Sequence, residues 1–130
     1  MRKFLVIGIM ALAALTIEPA YADGHSMGAI KKVKTSIGNV LAGTNGMSLY
    51  TFDKDTAGKS NCNGGCANAW PPLMADRNAK DHDAMTVIHR ADGSRQWAYK
   101  GAPLYFWQGD KKSGDVTGDG VNKVWHVAKP

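Results

Sequence analysis

One pattern occurs twice in this chain: a tyrosine, any residue, an aromatic residue, two residues, then aspartate. It reads Tyr50-Thr51-Phe52-Asp53-Lys54-Asp55 and again Tyr105-Phe106-Trp107-Gln108-Gly109-Asp110. The offset, 105 − 50 = 55, also pairs Gly38 with Gly93, Gly46 with Gly101, Leu49 with Leu104, Gly65 with Gly120 and Trp70 with Trp125, without a gap. Coincidence at such uncommon residue types indicates a duplicated structural unit. Two units are too few for a solenoid, which usually needs about three repeats. The halves are therefore expected to bury their apolar faces against each other with approximate two-fold symmetry.

Local patterns say what each unit is made of. Val33 to Ile37 alternates apolar and polar residues, as a strand does, and Val40-Leu41 starts another. Asn45-Gly46 signals a tight turn, because both residues tolerate positive φ. Met47 to Phe52 then reads as the second hairpin arm, with Met47 and Leu49 facing one way and Tyr50 and Phe52 the other. In the second unit, Met85 to His89, Gln96 to Tyr99 and Leu104 to Trp107 read as strands, with turns at Asp92-Gly93 and Lys100-Gly101. Pro103 lacks an N–H and suits a strand start or an edge. Cys66 to Trp70 is expected to form one helical turn, stopped by Pro71-Pro72. Val121 to Val127 reads as a closing strand, and the polar stretch Ala75 to Ala84 as the connection. The expected fold is mainly β, a single small domain of two pseudo-symmetric β-hairpin units with little helix, unit one over about 33–75 and unit two over about 85–130.

The start of the chain carries a different message. Arg2 and Lys3 precede an apolar run, Phe4 to Leu15, too short for a stable bilayer span. Ala20-Tyr21-Ala22 fits the small-x-small cleavage rule, so residues 1–22 read as a signal peptide and the mature chain as starting at Asp23. Asp23 to Lys32 reads as a flexible leader. No cysteine lies near the cut, so no stable membrane anchor is expected, and the protein is read as periplasmic or secreted. The formal net charge of +5 comes from scattered lysines. There is no long basic run with interleaved aromatics, which argues against nucleic acid and for a mildly basic solvated surface.

Cys62 and Cys66 are the only cysteines. In an exported chain they are expected to form a disulfide that fixes a Gly-rich turn. The alternative, a redox or metal-ligating pair, sits less well with Cys-x-x-x-Cys spacing.

The two Tyr-x-aromatic-x-x-Asp motifs, with Cys62…Cys66, Trp70-Pro71-Pro72-Leu73 and the final Gly118-Asp119-Gly120…Trp125, resemble the bacterial secreted-repeat family. It is also called the putative lipoprotein family with the Tyr-x-(Phe/Trp/Tyr)-x-x-Asp motif. The resemblance covers nearly all of the chain after residue 22. It implies export and a repeat layout, and no assigned activity. The chain departs from lipidated members in lacking a lipobox cysteine.

Six motif residues are candidates for ligand binding: Tyr50, Phe52, Asp55, Tyr105, Trp107 and Asp110. The rings read either as a stacking platform for a flat or sugar-like ligand or as the core and the seam between the halves. Asp55 and Asp110 are expected to accept backbone N–H bonds where each strand leaves into its loop. A catalytic carboxylate pair is the alternative. Gly114 to Gly120 resembles the opening of a calcium loop, but position twelve is His126 rather than a carboxylate. No nucleophile-elbow or phosphate-loop pattern is present. A third kind of site follows from cleavage after Ala22. The α-amine, two amide nitrogens and the imidazole of Asp23-Gly24-His25 can wrap Cu(II) in a square plane, with Met27 nearby for Cu(I). The functional expectation is an exported non-catalytic binding or interaction module whose partner is a periplasmic protein or small ligand. The alternative is a copper-handling or redox accessory protein.

Overall fold

The computed structural model describes residues 28–130. The first strand, β1, runs from Ile30 to Thr35 and pairs antiparallel with β2, Gly38–Gly43. It begins inside the segment expected to be a flexible leader. The reason is Ile30, which is fully buried in the core and carries Lys31 and Lys32 into the strand. A short strand β3, Tyr50–Phe52, and a single-turn helix α1, Gly65–Ala69, complete the first unit. The second unit contains β4, Met85–His89, β5, Arg95–Tyr99, and β6, Ala102–Pro103, in a three-stranded antiparallel sheet. A 3₁₀ turn, Val121–Lys123, leads into β7, Trp125–Val127. The protein is thus mainly β with little helix, and Pro103 lies on an edge strand, where its missing N–H costs no ladder bond.

The hairpin registers locate the duplication and qualify it. Ile30 opposes Gly43 in the first unit and Met85 opposes Tyr99 in the second, so the first strand is displaced by 85 − 30 = 55 residues and the second by 99 − 43 = 56. The repeat is therefore not gapless inside the hairpins. Two residues, Ser36-Ile37, join β1 to β2, whereas the turn closed by Arg90 N–H on the Ser94 carbonyl holds three. The compensating loss comes at the next turn. Thr44-Asn45-Gly46 is a three-residue loop closed by Gly43 N–H on the Met47 carbonyl, with positive φ only at Gly46 and with Asn45 Oδ1 accepting Met47 N–H. Its counterpart, Lys100-Gly101, is a two-residue loop with positive φ at both positions, the geometry that suits a tight hairpin. Asn45-Gly46 is thus a turn, but not a two-residue one, and Gly38 corresponds in space to Ser94 rather than Gly93.

The motif strands do not close hairpins within their own units. Ser48 and Leu49 still pair back onto β2. Tyr50–Phe52 then crosses over and pairs with β7 of the second unit, Tyr50 opposite Val127 and Phe52 opposite Trp125. Symmetrically, Tyr105 bridges Pro72 of the first unit, and Tyr50 and Tyr105 bridge each other, each donating its N–H to the other's carbonyl at 2.8 and 3.0 Å. The pseudo-two-fold axis passes through this pair. In the first unit, Pro71 and Pro72 occupy the places of His126 and Val127. Without N–H groups they hold the crossover to a single bridge instead of a strand.

Two apolar clusters flank the crossover, which explains why Leu49 and Tyr50 are both fully buried though they face opposite ways. One contains Ile30, Met85, Leu49, Leu104, Leu73 and Ala128, three pairs related by the 55-residue offset, together with Leu41. The other contains Tyr50, Tyr105, Trp70, Trp125, Val40, Val127 and Cys62.

Candidate functional site

Aromatic residues at the ends of the crossing strands meet across the axis in one continuous stack. Phe52 lies on Trp125 with ring centroids 4.2 Å apart, Trp125 on Trp70 at 3.8 Å and an interplanar angle of 2°, and Trp70 on Trp107 at 4.1 Å. Tyr50 meets Trp70 edge-on at 5.4 Å, and Tyr105 meets Trp125 edge-on at 5.2 Å. The edge-to-face contacts are an arrangement the ring quadrupole favours. Of the motif rings, Tyr50 and Tyr105 are fully buried, while Phe52 and Trp107, at the two ends of the stack, are half-buried. Gly118 makes the packing close: a Cβ there would lie 2.9 Å from both the Tyr50 and the Trp107 rings.

Each buried hydroxyl reaches the aspartate of the other motif. Tyr50 Oη donates to Asp110 Oδ2 and Tyr105 Oη to Asp55 Oδ2, both at 2.7 Å. The second oxygen of each carboxylate holds the loop that follows its strand. Asp55 Oδ1 accepts Asn61 N–H at 2.6 Å, and Asp110 Oδ1 accepts the Thr117 N–H at 2.9 Å and its hydroxyl at 2.7 Å. The expected backbone bonds are therefore present, and the tyrosine bonds between motifs add to them. Burial, reinforced by the Asp110 hydrogen bond, pushes the Tyr50 hydroxyl well above the usual phenol range. Burial does the same for Tyr105, with Asp55 adding to it and Ser60 opposing it. Burial also raises the Asp55 carboxyl, against the lowering effect of its bonds from Asn61 and Tyr105 and of the Arg90 charge.

Sequence reasoning missed Arg90, which is buried at 7 % exposure. Its guanidinium donates to Gln96 Oε1 at 2.8 Å, the Cys62 carbonyl at 2.7 Å, Ser60 Oγ at 3.0 Å and Asn63 Oδ1 at 3.3 Å. These acceptors are all neutral. One carboxylate is reached through hydroxyls, since Ser60 Oγ lies 2.6 Å from Tyr105 Oη, which bonds Asp55. The proton order in this chain is fixed by elimination. Tyr105 gives its only proton to Asp55 and Arg90 has no acceptor, so Ser60 must donate to Tyr105. A chain of hydrogen bonds thus links Arg90 through Ser60 and Tyr105 to Asp55. Only a buried polar residue at the end of a strand pattern could have signalled this, and hydrophobic periodicity does not register it.

Cys62 and Cys66 are disulfide-bonded, their Cα atoms 5.2 Å apart, which ties the loop before α1 to its first turn. Asp115 and Asp119, the acids of the calcium-loop reading, accept backbone bonds: Asp115 from Lys111 and Lys112, Asp119 from Val127. Those amide bonds hold the Asp115 carboxyl below the usual carboxylate range, the Lys111 bond most. His126 Nε2 lies 2.8 Å from Asp53 Oδ2 at the surface. Among the described residues, no group of three or more His, Cys, Asp or Glu is arranged to hold a metal ion, and no helix is long and apolar enough to cross a membrane. Asp23, Gly24 and His25 lie outside the described residues.

A shallow, open hollow of about 210 Å³ lies beside the exposed end of the first motif. Phe52, Asp55, Thr56 and Ala57 form one wall, and the Lys100-Gly101 turn with Ala102 and Pro103 forms the other. Gly58 N–H bonded to the Gly101 carbonyl at 2.8 Å ties the two walls together.

No curated protein matches the chain, and no solved structure does. A family model does match, twice, over residues 31–74 and 86–129, so both copies of the motif and both halves of the ring stack fall within it. The chain belongs to the family described as a secreted repeat of unknown function, and carries two copies of that repeat.

Proposed function

We propose that this exported protein is a non-catalytic binding module whose ligand seat is the hollow between Phe52 and the Lys100-Gly101 turn. The observation that carries this reading is the combination found there of the Phe52 ring and Lys100 on a two-residue turn. At about 210 Å³ the hollow is smaller than a typical drug-sized pocket of about 300–1,000 Å³, which suits a ligand the size of one sugar ring or one amino acid. The motif carboxylates support a non-catalytic role, because both oxygens of Asp55 and of Asp110 already hold a tyrosine hydroxyl and loop amides. The test is a chemical-shift titration with monosaccharides and free amino acids. Binding should move the amide signals of 55–57 and 100–102 and should vanish in Phe52→Ala. Shifts spread over the whole surface, or none with any of these probes, would refute the seat.

The spacing of Asp23-Gly24-His25 behind Ala22 favours a second reading, copper handling at the mature N-terminus. Cu(II) titration of the chain starting at Asp23 should give a one-to-one complex that is lost when one residue is added before Asp23. Affinity should weaken as pH falls, because amine and amide protons must leave. Equal affinity in the two chains would exclude it.

A further inference from the structure

Three of the four tryptophans stand in the ring stack, and they differ in access to solvent. Trp107 is half-buried, whereas Trp70 and Trp125 are 4 % and 3 % exposed. Face-to-face indoles at 3.8 and 4.1 Å are in van der Waals contact, so an electron can pass between them without either ring moving. Each inner tryptophan also touches a buried tyrosine edge-on. A phenol gives up an electron readily only if its proton leaves with it, since the oxidised phenol is a strong acid. Asp110 and Asp55 are fixed proton acceptors at 2.7 Å from Tyr50 and Tyr105, within the reach that proton transfer needs. The stack therefore begins at a partly exposed, oxidisable ring and leads to two phenols that each have a place to leave a proton. At the opposite end stands Phe52, which is far harder to oxidise.

We propose that this column carries a one-electron oxidation from Trp107 inward to Tyr50 and Tyr105, independently of any ligand in the Phe52 hollow. The reactant is a small one-electron oxidant of the kind an exported protein meets, such as an oxidised metal complex. It takes one electron from Trp107 and is itself reduced by one. Trp70 refills Trp107, directly or with Trp125 behind it. Tyr50 or Tyr105 then passes one electron to its neighbouring indole while its O–H proton moves to Asp110 or Asp55. The products are one neutral tyrosyl radical, one protonated carboxyl and one reduced oxidant. No bond between heavy atoms forms or breaks.

The test begins from the double variant Tyr21→Phe with Tyr99→Phe, which leaves Tyr50 and Tyr105 as the only tyrosines. A photo-oxidised ruthenium polypyridyl complex serves as oxidant, with transient absorption and electron paramagnetic resonance as readouts. A tyrosyl radical should appear in this background and be lost when Trp107→Phe is added. That change should leave the fold intact, because Phe52 fills the corresponding place across the axis. Trp97→Phe should leave the signal unchanged, since Trp97 packs against the other cluster. Asp55→Asn combined with Asp110→Asn, which keeps an acceptor oxygen but removes the base, should replace the tyrosyl signal with a tryptophan radical. This second variant decides the matter if Trp107→Phe fails to fold. No tyrosyl radical in the starting background, a signal that survives Trp107→Phe undiminished, or one that survives the loss of both carboxylates would overturn the proposal.

Discussion

The hydroxyl of Tyr50 is held by Asp110, sixty residues further along the chain and in the other copy of the repeat, at 2.7 Å. The converse bond joins Tyr105 to Asp55 at the same distance. A motif that looks self-contained in sequence is thus completed only by its twin, and each aspartate ties a buried phenol to the loop that follows its own strand.

Asp110→Ala strands the Tyr50 hydroxyl and the Thr117 N–H, and Asp55→Ala strands Tyr105 and the Asn61 N–H. Each change should lower stability by about 1–3 kcal/mol, the usual cost of leaving buried partners unsatisfied. Urea unfolding measures it. Adding Tyr50→Phe to Asp110→Ala should cost less than the sum of the two single changes, because the residues share one bond. Strict additivity would show that the bond contributes nothing.

Burial holds the Asp55 carboxyl above the usual carboxylate range in the fold. Between the unfolded and folded values the native chain keeps a proton that the unfolded chain has lost. The contribution of this group to stability is therefore fully present below the unfolded value, about 3.9, and is lost as pH rises through the folded one. The stability of the wild type relative to Asp55→Asn should accordingly be greatest in acid and decline toward neutrality. Unfolding curves for both proteins across the acid range test this, and a gap that widens as pH rises would contradict it.

Arg90→Ala removes the donor shared by Gln96, Ser60, Asn63 and the Cys62 carbonyl. It should cost about 1–3 kcal/mol, the penalty for leaving buried neutral acceptors without their donor. Arg90→Lys should recover only part of this, because an ammonium cannot reproduce the planar fork that spreads over four acceptors. Chemical denaturation of the three proteins would show it. A lysine variant as stable as wild type would mean that charge alone matters at this position.

Gly118 admits no side chain, since a Cβ would sit 2.9 Å from two aromatic rings. Gly118→Ala should destabilise by about 1–3 kcal/mol through overpacking. Gly65→Ala should be tolerated, because a Cβ there meets nothing within 4 Å. Thermal melts of the two variants compare them directly, and equal melting temperatures would mean that the stack yields to make room.

What the sequence made legible was whatever depends on local pattern. The strands Met85–His89 and Arg95–Tyr99, the helical turn before Pro71, and the Cys62–Cys66 bond all follow from alternation, breakers and spacing. The crossover was not legible, because Tyr50–Phe52 alternates equally well whether it pairs with its own unit or with β7. Nor was the break in the repeat. A residue gained between β4 and β5 and one lost between β5 and β6 cancel in the count, so only hydrogen-bond register reveals them. One asymmetry visible in the sequence now has a cause. Asp119 accepts the N–H of Val127, while the corresponding pair in the first unit is Gly64 and Pro72. A proline has no N–H to offer, so no acid is needed there.

The pairing of Tyr50 with Val127 and of Tyr105 with Pro72 has a consequence for any shorter gene product. A chain holding one copy of the motif would have a tyrosine with no aspartate to receive its proton, a strand with no neighbour and half a column of rings. It could satisfy all three only by embracing a second molecule of itself, each supplying what the other lacks. The linker between residues 75 and 84 turns that two-molecule encounter into an event within one chain, so the two halves meet at any dilution.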